Sequence, residues 1–394
     1  MTISSFEFSD RFRDWYLNEV SFSDFNLLVG VSGVGKTQIL NALGSIKSAA
    51  TGNAGRSNGC KWRIKLQSEG SVFVWEAEVS LVPRAPIEEI LAEDVGQDSS
   101  TKCYFLSERI IRNNHDVLVK RTENDFEFNN TKLPKLKNTE SAINLLRDED
   151  AINPLYKAFK NVMFSDVPAS AAPYGFVPFD EKRFKSISTK YNSIEALRGA
   201  TDIPILLKAY ILQESFVEEF NQIKQDYRDI FPSVCDIRFG KLSDLDPDSE
   251  DYFPMFPSSW LSVGVKEDQV DKWITGPRLS SGMHRTLIHL VELAMAPQST
   301  VIVIDEFENS LGVNCLPDVT NRLMERSRDL QFIVTSHHPY IINNVPTTKW
   351  RVVTRKGRTV TVLNENQIAA LKGDSVQDKF VRLINAQEFE EGIQ

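Results

Sequence analysis

The sequence predicts an α/β fold: a doubly wound, mainly parallel sheet with additional antiparallel strands, split by a mainly helical insertion. Residues 25–29 form a short apolar run of the kind found in buried strands, and residues 36–47 directly after it carry apolar side chains at helical spacing. Beyond residue 279, helical and strand patterns alternate, which is typical of parallel sheets with crossover helices. Because the first strand and helix lie far from the others in sequence, the sheet must be built from two separate parts of the chain.

The periodicity of the remaining segments predicts their type. Residues 62–82 alternate between apolar and polar side chains, as half-buried antiparallel strands do, and residues 104–128 are also rich in strand patterns. The middle pattern predicts helix over 142–164, loop over 168–190, and one long amphipathic stretch over 205–230 whose apolar stripe indicates core packing. The later elements are helix 283–295, strand 300–304, helix 315–328, strand 331–335, a short helix near Tyr340, and strands 350–354 and 359–363. We therefore divide the chain into 1–130, the N-terminal half of the sheet domain; 131–270, a largely helical insertion or lid; and 271–394, its C-terminal half.

Composition and charge indicate an ordinary soluble globular protein. The 394 residues carry a formal net charge of −9, and 41% of them are hydrophobic. This acidic balance argues against a protein whose whole surface binds nucleic acid, but two short basic runs are candidate local patches. They are Lys132, Lys135 and Lys137, and Arg351, Arg355, Lys356 and Arg358. No apolar run is long enough to cross a membrane and no secretory leader is evident, so we expect a cytoplasmic protein without a membrane partner. The four cysteines form no CxxC pair, which predicts neither a zinc site nor a disulfide framework.

The strongest motif is the GxxxxGK[ST] pattern of residues 30–37, which is a P-loop. An apolar strand precedes it and a helix follows it, which is the context that the motif needs. Its glycines let backbone N–H groups surround phosphate oxygens, and Lys36 adds a positive charge for the β- and γ-phosphates. Thr37 offers its hydroxyl to Mg²⁺, and the positive end of the following helix adds to phosphate attraction. The residues expected to bind the nucleotide are Gly30, Ser32, Gly33, Val34, Gly35, Lys36, Thr37 and Gln38.

A second motif is a pair of carboxylates directly after the apolar run of residues 301–304. Four β-branched residues predict a fully buried strand, and Asp305 and Glu306 emerge at its carboxyl end, where α/β sheets place their ligands. Asp305 is expected to hold Mg²⁺, directly or through water. Glu306 is expected to orient or deprotonate the attacking water, which makes it a candidate catalytic residue. No guanine-reading NKxD-type motif is present in the sequence, so ATP is favoured over GTP.

Three further segments lie around this strand. Residues 279–283, with the sequence LSSGM, precede the helix before it, although a serine that only caps the helix is an equally good interpretation of Ser280. His337 follows the next predicted strand, and His338 beside it is a competing candidate. Residues 308–312 lie between the carboxylates and that strand.

The order of four motifs along the chain resembles that in the soluble ABC-type ATPases of the SMC, RecF and OLD-like group. The motifs are the P-loop, LSSGM, IDEFENSLG at 304–312 and TSHHP at 335–339. The likeness covers about residues 20–50 and 275–345. It implies a split ABC-type P-loop core, with ATP and Mg²⁺ as cofactors, in which His337 is the switch histidine contacting the γ-phosphate. Residues 308–312 occupy the place of the D-loop, with Gly312 where transporters commonly carry Asp.

The same resemblance implies a homo-oligomer, at least a head-to-tail dimer. In that group each ATP is held between the P-loop of one copy and the signature of the other. Ser280, Ser281 and Gly282 would then act in trans, reaching the γ-phosphate held by Lys36 of the partner. ATP would join the two copies and hydrolysis would release them.

This sequence departs from the group's pattern in two places. Ser281 and Met283 stand where the signature usually has Gly and Gln, so the γ-phosphate contacts of this signature are expected to differ. The Q-loop glutamine has no clear counterpart, because Gln67 and Gln97 both fit poorly, and residues 108–109 are an alternative for that neighbourhood.

Three classes of function fit the motifs. The first is an ATPase that switches a partner effector in bacterial anti-phage defence, like the ATPase subunits of OLD-type, Septu or PARIS-type systems. The second is a RecF-like DNA-repair or DNA-clamping ATPase, and the third is the nucleotide-binding subunit of a transporter, which the long insertion disfavours. We expect no nuclease in this chain, because its five histidines offer no HNH cluster. A separate effector, such as a nuclease, is therefore the predicted partner, with contact to nucleic acid left open.

Overall fold

The structure is a computed structural model that describes residues 1–82, 103–165, 176–200, 203–248, 257–309, 311, 315–326 and 330–368. The chain divides into two compact units. Unit 1 comprises Met1–Phe164, Ser299–Glu306 and Ser327–Gln394, and unit 2 comprises Ser165–Gln298 and Phe307–Arg326. None of the helices within the described ranges combines the length and apolar composition needed to span a membrane.

Helices and strands alternate irregularly along the chain. The α-helices are α1 Lys36–Ala50, α2 Ala142–Leu145, α3 Asn153–Lys160, α4 Glu181–Lys190, α5 Ile194–Gly199, α6 Ile205–Ser215, α7 Val217–Ile230, α8 Leu242–Leu245, α9 Ser281–Met295, α10 Leu316–Arg326 and α11 Pro339–Asn344. Short 3-10 helices cover Ala54–Ser57, Gly276–Arg278, Thr347–Lys349 and Glu365–Gln367. The strands are β1 Thr2–Asp10, β2 Trp15–Ser21, β3 Phe25–Val29, β4 Cys60–Ser68, β5 Ser71–Val79, β6 Phe105–Arg112, β7 Asp116–Thr122, β8 Phe126–Phe128, β9 Thr131–Lys132, β10 Val162–Phe164, β11 Val234–Lys241, β12 Leu261–Glu267, β13 Ile274–Thr275, β14 Val301–Ile304, β15 Gln331–Thr335, β16 Trp350–Lys356 and β17 Thr359–Leu363.

Unit 1 is built on a single 14-stranded sheet. Its strand order is β10-β14-β15-β3-β16-β17-β2-β1-β4-β5-β6-β7-β8-β9. The strands from β10 to β16 in this order run parallel, and β17 is parallel to β2, whereas the remaining neighbours are antiparallel. The α/β class with a parallel part and added antiparallel strands is therefore confirmed, but the antiparallel part is the larger one.

The parallel strands are short and apolar because both faces of the sheet are covered there. All residues of β3, β14 and β15 are buried. Helix α1 turns Ile39, Leu43 and Ile46 into the core of unit 1. These elements place the carboxyl ends of β3, β14 and β15 side by side, and we call this border the carboxyl edge.

The antiparallel part of unit 1 follows the alternation of its sequence. Strand β5 buries Trp75, which makes edge-to-face contacts with Trp62 of β4 at 5.0 Å and with Phe159 of α3 at 5.5 Å. The hairpin β1–β2 was not predicted from the sequence. Register shifts between Ile3 and Ser5, and between Phe6 and Phe8, interrupt the period of two that marks a strand.

Unit 2 contains helices and a three-stranded antiparallel sheet, β11-β12-β13. The amphipathic stretch 205–230 is two helices, α6 and α7, which meet at Phe216, where the backbone is extended at φ −135°. This break lets both helices pack against α9. The predicted loop 168–190 includes helix α4 in its described part, and residues 168–175 lie outside the described residues. The segment 131–270, predicted to be largely helical, also contains β9, β10, β11 and β12.

Candidate functional site

The P-loop and the carboxylate pair lie at the carboxyl edge of unit 1. Strand β15 separates β14 from β3 in the sheet, with Ile304 opposite Val334 and Leu28 opposite Thr335. The strand ends that carry Asp305, Ser336 and Gly30 are therefore neighbours. Residues separated by about 300 positions in sequence are brought to one border of one sheet.

The P-loop backbone depends on its glycines. Gly33 and Gly35 have φ values of 82° and 114°, which favour glycine over residues with side chains. Gly35 is also the residue before α1, and no side chain caps the start of this helix. The backbone N–H groups of the first helical turn have no partner within the helix, so they are positioned to bind an anion.

Gly30 is required by close packing. A Cβ atom at this position would lie 2.6 Å from the backbone oxygen of Val353 in β16. Replacing Gly30 by alanine is expected to lower the free energy of unfolding by roughly 1–3 kcal/mol, because the backbone must shift. Thermal unfolding of the variant measures this loss.

Gly44→Ala is the control for that variant. It lies within α1, and its added Cβ would meet the Phe164 ring at 3.4 Å, an ordinary contact. Since alanine is favoured over glycine in a helix, this variant should unfold at the wild-type temperature or above. Equal losses in both variants would contradict the packing argument at Gly30.

The other P-loop side chains divide into buried and exposed groups. Lys36 is buried, and its Nζ donates to the backbone oxygens of Gly30 at 2.8 Å and Val31 at 3.1 Å. Val34 is buried as well, whereas Ser32, Gly33 and Thr37 are exposed. The loop thus has a lysine tied to its own backbone and an outer surface open to a ligand.

A cavity of about 220 Å³ lies beside the start of α1. Its walls are formed by Phe8, Asp10, Arg13, Trp15, Gln38, Asn41, Ala42 and Ser45. Two buried polar atoms, Nε1 of Trp15 and Oε1 of Gln38, have no hydrogen-bond partner. Buried polar atoms nearly always have a hydrogen-bond partner. The cavity beside these two unpaired atoms is therefore a place where a ligand or water would be accommodated.

A threonine connects the Asp305 carboxylate to the backbone of Glu306 at the carboxyl edge. Oγ1 of Thr335 donates to Oδ1 of Asp305 at 2.5 Å, and it accepts the backbone N–H of Glu306 at 2.7 Å. Asp305 is half-buried and Glu306 is exposed. The arrangement fixes the Asp305 carboxylate and leaves the side chain of Glu306 open to solvent. Thr335 was not singled out from the sequence; its only signal was a polar residue ending a buried strand.

The two neighbouring histidines have different environments. His338 caps helix α11: its Nδ1 accepts the N–H of Tyr340 at 3.2 Å, and its own N–H donates to Oγ of Ser336 at 3.1 Å. His337 is exposed directly after the end of β15. A structural task is thus evident for His338, and His337 is the more accessible of the two.

The LSSGM segment lies in unit 2, at the start of α9. Oγ of Ser280 accepts the N–H of Met283 at 3.2 Å, so Ser280 is a helix cap. Ser280 and Ser281 are exposed and Gly282 is half-buried. Capping does not compete with anion binding here, because the N–H groups of residues 281 and 282 remain at the open end of the helix. Of the D-loop counterpart, Ser310 and Gly312 lie outside the described residues.

Glu108 has a structural position. Its carboxylate accepts from Nη1 of Arg121 at 2.6 Å and from the backbone N–H of Ala142 at 3.0 Å, and both charged side chains are buried. The pair attaches the start of α2 to the sheet, which gives the Glu108 carboxylate a structural role. Gln67 is exposed at the end of β4 and pairs with Thr2 in β1, and Gln97 lies outside the described residues.

Several side chains of the two basic runs predicted from the sequence have partners in the fold. Arg351 is buried and donates to the backbone oxygens of Ser21 and Trp350. The remaining run members that pair with acids are Lys132 with Asp125, Lys137 with Glu140, and Arg358 with Asp14. The sequence runs are partly neutralised by residues that the fold brings beside them.

Solved structures resemble this chain only loosely. They include an SMC head bound to the C-terminal winged-helix domain of ScpA, at 15% identity and a TM-score of 0.45, covering 92% of this chain and 98% of that one. A Pyrococcus furiosus Smc head with an extended coiled coil, bound to the C-terminal domain of ScpA, matches at 14% identity and 0.44, covering 92% and 96%. The SMC head domain of Thermotoga maritima matches at 13% identity and 0.39, covering 92% and 99%. No curated protein matches the sequence significantly.

A family profile matches residues 118–343, which is more than half of the chain. The matched region contains the signature segment, the Asp305–Glu306 pair and His337, whereas the P-loop lies before it. Its description reads AAA domain, putative AbiEii toxin, Type IV TA system. With a P-loop and a carboxylate pair at one edge of its sheet, the chain belongs to this AAA domain family.

Proposed function

We propose that this protein is a Mg²⁺-dependent ATPase whose ATP-bound form is a head-to-tail dimer that controls a partner effector. The ATPase part of this proposal is supported by one observation: the P-loop and the residues Asp305 and Glu306 lie at neighbouring strand ends of the carboxyl edge. A phosphate site and a pair of carboxylates at adjacent strand ends are what phosphoryl transfer to water requires.

The residues at this edge suit a magnesium ion. Thr37 supplies an exposed hydroxyl and Asp305 a carboxylate that Thr335 orients, and such hard oxygen ligands are those Mg²⁺ prefers. When bound, the ion would neutralise charge on the β- and γ-phosphates. Lys36 would hold the same phosphates, and the exposed Glu306 would orient and deprotonate the attacking water.

The cavity beside α1 is the best candidate for the nucleoside part of ATP. It lies next to Gln38, directly after the P-loop in sequence. The orphan Nε1 of Trp15 is a donor and the orphan Oε1 of Gln38 an acceptor, so together they can serve a base or a ribose that offers both kinds of group. His337, exposed at the next strand end, is the group we propose to contact the γ-phosphate.

The dimer is supported by the open end of α9. The residues 280–282 expose two serines and a helix start, a combination that attracts phosphate. We infer that this end receives the γ-phosphate of an ATP held by the P-loop of a second copy. Each copy alone would then bind ATP but hydrolyse it poorly.

Mixing two inactive variants tests the shared site. Lys36→Ala removes the P-loop charge, and Ser281→Glu places a negative charge where the partner's γ-phosphate would lie. A glutamate in the first helical turn favours the helix, so Ser281→Glu should fold normally. Each variant alone should be inactive, whereas an equal mixture should recover up to roughly a quarter of wild-type hydrolysis, because half of the dimers are mixed and each has one intact site.

Ser281→Gln is the matched control for the mixing experiment, since glutamine has nearly the same size as glutamate but carries no charge. It should retain most of the activity. If Ser281→Glu alone hydrolyses ATP at the wild-type rate, or if the mixture stays inactive while both variants fold and remain able to exchange partners, the shared site is wrong.

The control of an effector, as in anti-phage defence, is the part of the proposal farthest from the site. Its support is the family description, which refers to toxin–antitoxin systems, where one protein acts with another. Purification of the protein with and without the product of the adjacent gene tests whether the two proteins bind each other. Hydrolysis that rises steeply with protein concentration would agree with an assembling switch, whereas stimulation by DNA would favour a DNA-clamping ATPase instead.

A further inference from the structure

One face of the antiparallel part of unit 1 carries a row of charged side chains. The row takes one residue from each of seven strands, β1 and β4 to β9, and each member lies directly opposite the next. The register shifts in these strands lie at other positions, so all seven side chains are on the same face. The charged row consists, in spatial order, of Glu7, Arg63, Glu76, Arg109, Lys120, Glu127 and Lys132.

The sign of charge alternates along the charged row with one exception. Arg63 lies between two glutamates, and its Nε is 3.1 Å from the carboxylate of Glu76. Arg109 and Lys120, in contrast, are both exposed and lie directly opposite each other, and like charges in this arrangement destabilise a sheet. Among the described residues, neither of these two side chains has an acid within ion-pair distance or a hydrogen-bond partner. The pair is therefore a concentrated positive charge that the fold itself does not neutralise.

Two hydroxyl groups complete a square with the two cations. Ser107 lies two residues before Arg109 on β6, Thr122 lies two residues after Lys120 on β7, and the register places Ser107 opposite Thr122. Because side chains alternate along a strand, both hydroxyls are on the same face as the cations, and both are exposed. Oγ1 of Thr122 accepts the N–H of Asp125 at 3.2 Å, which leaves the hydroxyl hydrogen for a ligand. We call these two cations and two hydroxyls the cationic square.

The cationic square borders a cavity of about 680 Å³ on the same face of the sheet. Ser107, Arg109 and Lys120 line one side of the cavity, and Tyr16 and Asn18 of β2 line the other. Strand β2 is four strand intervals from β6, which corresponds to roughly 19 Å. Cavities of this volume accommodate small molecules, so the square is one wall of a space that a ligand larger than a single ion can occupy.

We propose that the cationic square binds the phosphate group of a small phosphate ester whose remaining part occupies this cavity. A guanidinium, an ammonium and two hydroxyls donate hydrogen bonds from several directions. A phosphate accepts such bonds through three terminal oxygens, whereas a carboxylate has only two, so the phosphate uses the square more completely. Its negative charge would also remove the repulsion between Arg109 and Lys120. This inference does not rest on the proposed ATPase function.

The acids on either side of the square favour a single phosphate over a polyanion. Glu76 lies one strand beyond Arg109, and Glu127 lies one strand beyond Lys120. A chain of phosphates that continued along the charged row in either direction would meet these glutamates. The backbone of a nucleic acid carries such a continuous series of charges, so the row is better suited to an isolated phosphate group.

The test titrates glycerol 3-phosphate and inorganic phosphate into the full-length Lys36→Ala protein and follows binding by phosphorus NMR. Lys36→Ala removes the P-loop lysine and so reduces binding at the proposed nucleotide site. Both probes should bind, and glycerol 3-phosphate should bind more tightly because its glycerol part lies in the cavity. Addition of Lys120→Gln or Arg109→Gln should weaken the binding of both probes by about tenfold or more, since each change removes one of the two cations.

Lys65→Gln in the same Lys36→Ala protein is the matched control. Lys65 lies two residues beyond Arg63 on β4, so its half-buried side chain is on the same face but outside the square. This variant loses the same charge and should bind both probes within about twofold of its parent, because salt screens distant exposed charges. Without ligand, Lys120→Gln should unfold at the parent's temperature or above it, since the like-charge pair is gone. A purely structural role of Lys120 would instead lower that temperature.

Three results would overturn the proposal. They are the absence of glycerol 3-phosphate binding, an equal loss of binding in Lys65→Gln and Lys120→Gln, and equal affinity for the two probes, which would assign the site to free phosphate. A short DNA duplex is the last probe. Binding of the duplex that Lys120→Gln abolishes, without binding of glycerol 3-phosphate, would assign the cationic square to a nucleic-acid backbone instead.

Discussion

Replacing Glu306 by glutamine is expected to lower ATP hydrolysis by about a thousandfold and to leave ATP binding intact. Loss of a general base costs on the order of 10²–10⁴ in rate, and Glu306 is the exposed carboxylate beside the P-loop strand ends. Glutamine keeps the size of the side chain and its backbone bond to Thr335. The variant should therefore bind ATP and fail to break it down.

The trapped nucleotide should also change the assembly state. If hydrolysis releases the dimer, the Glu306→Gln variant with ATP and Mg²⁺ should elute at twice the mass of the variant without nucleotide, measured by size exclusion with light scattering. Wild-type protein should show this dimer only briefly, since it consumes the ATP.

Glu69→Gln is the matched control for this experiment. Glu69 is an exposed glutamate in the turn between β4 and β5, and its φ of +47° is nearly that of Glu306. Any general effect of the Glu-to-Gln change at such a backbone position would appear in both variants. Normal turnover by Glu306→Gln would remove Glu306 from the catalytic assignment.

The sequence alone predicted the parts of the site that depend on local patterns. Strand β3 was predicted with the same bounds, 25–29, because four apolar residues out of five before a glycine leave few alternatives. Asp305 and Glu306 could be expected at a sheet edge because the four residues before them are β-branched and apolar. Both predictions rest on patterns that span fewer than ten consecutive residues, so they can be recognised in the sequence without knowledge of the fold.

What the sequence did not predict depends on contacts between distant residues. The bond from Thr335 to Asp305 joins positions 30 apart in the chain, and no local pattern identifies it. The unpaired polar atoms of Trp15 and Gln38 lie side by side because the β1–β2 hairpin, which was not predicted, lies beside α1. Likewise, Arg351 looked like a surface charge until the fold buried it among backbone oxygens.

Replacing Lys36 by alanine is expected to weaken ATP binding by about 100-fold, or roughly 2.7 kcal/mol. Two effects combine. The variant loses the charge that we propose for phosphate binding, and it also loses the bonds from Nζ to the backbone oxygens of Gly30 and Val31. Titration calorimetry with ATP and Mg²⁺ measures the affinity, and the rise in melting temperature that ATP gives the wild type should be absent.

Two further variants distinguish the loss of charge from the loss of loop geometry and from a general loss of helix stability. Lys36→Arg keeps the charge, so any loss of binding by this variant reports the geometry of the loop and not the charge. Lys47→Ala removes a lysine from the opposite end of α1, where its Nζ lies over the Phe164 ring at 5.7 Å, and should bind ATP normally. ATP binding that survives Lys36→Ala at full strength would contradict the P-loop assignment. Equal losses in Lys36→Ala and Lys47→Ala would instead point to unfolding of the helix, because only one of the two lysines reaches the phosphate loop.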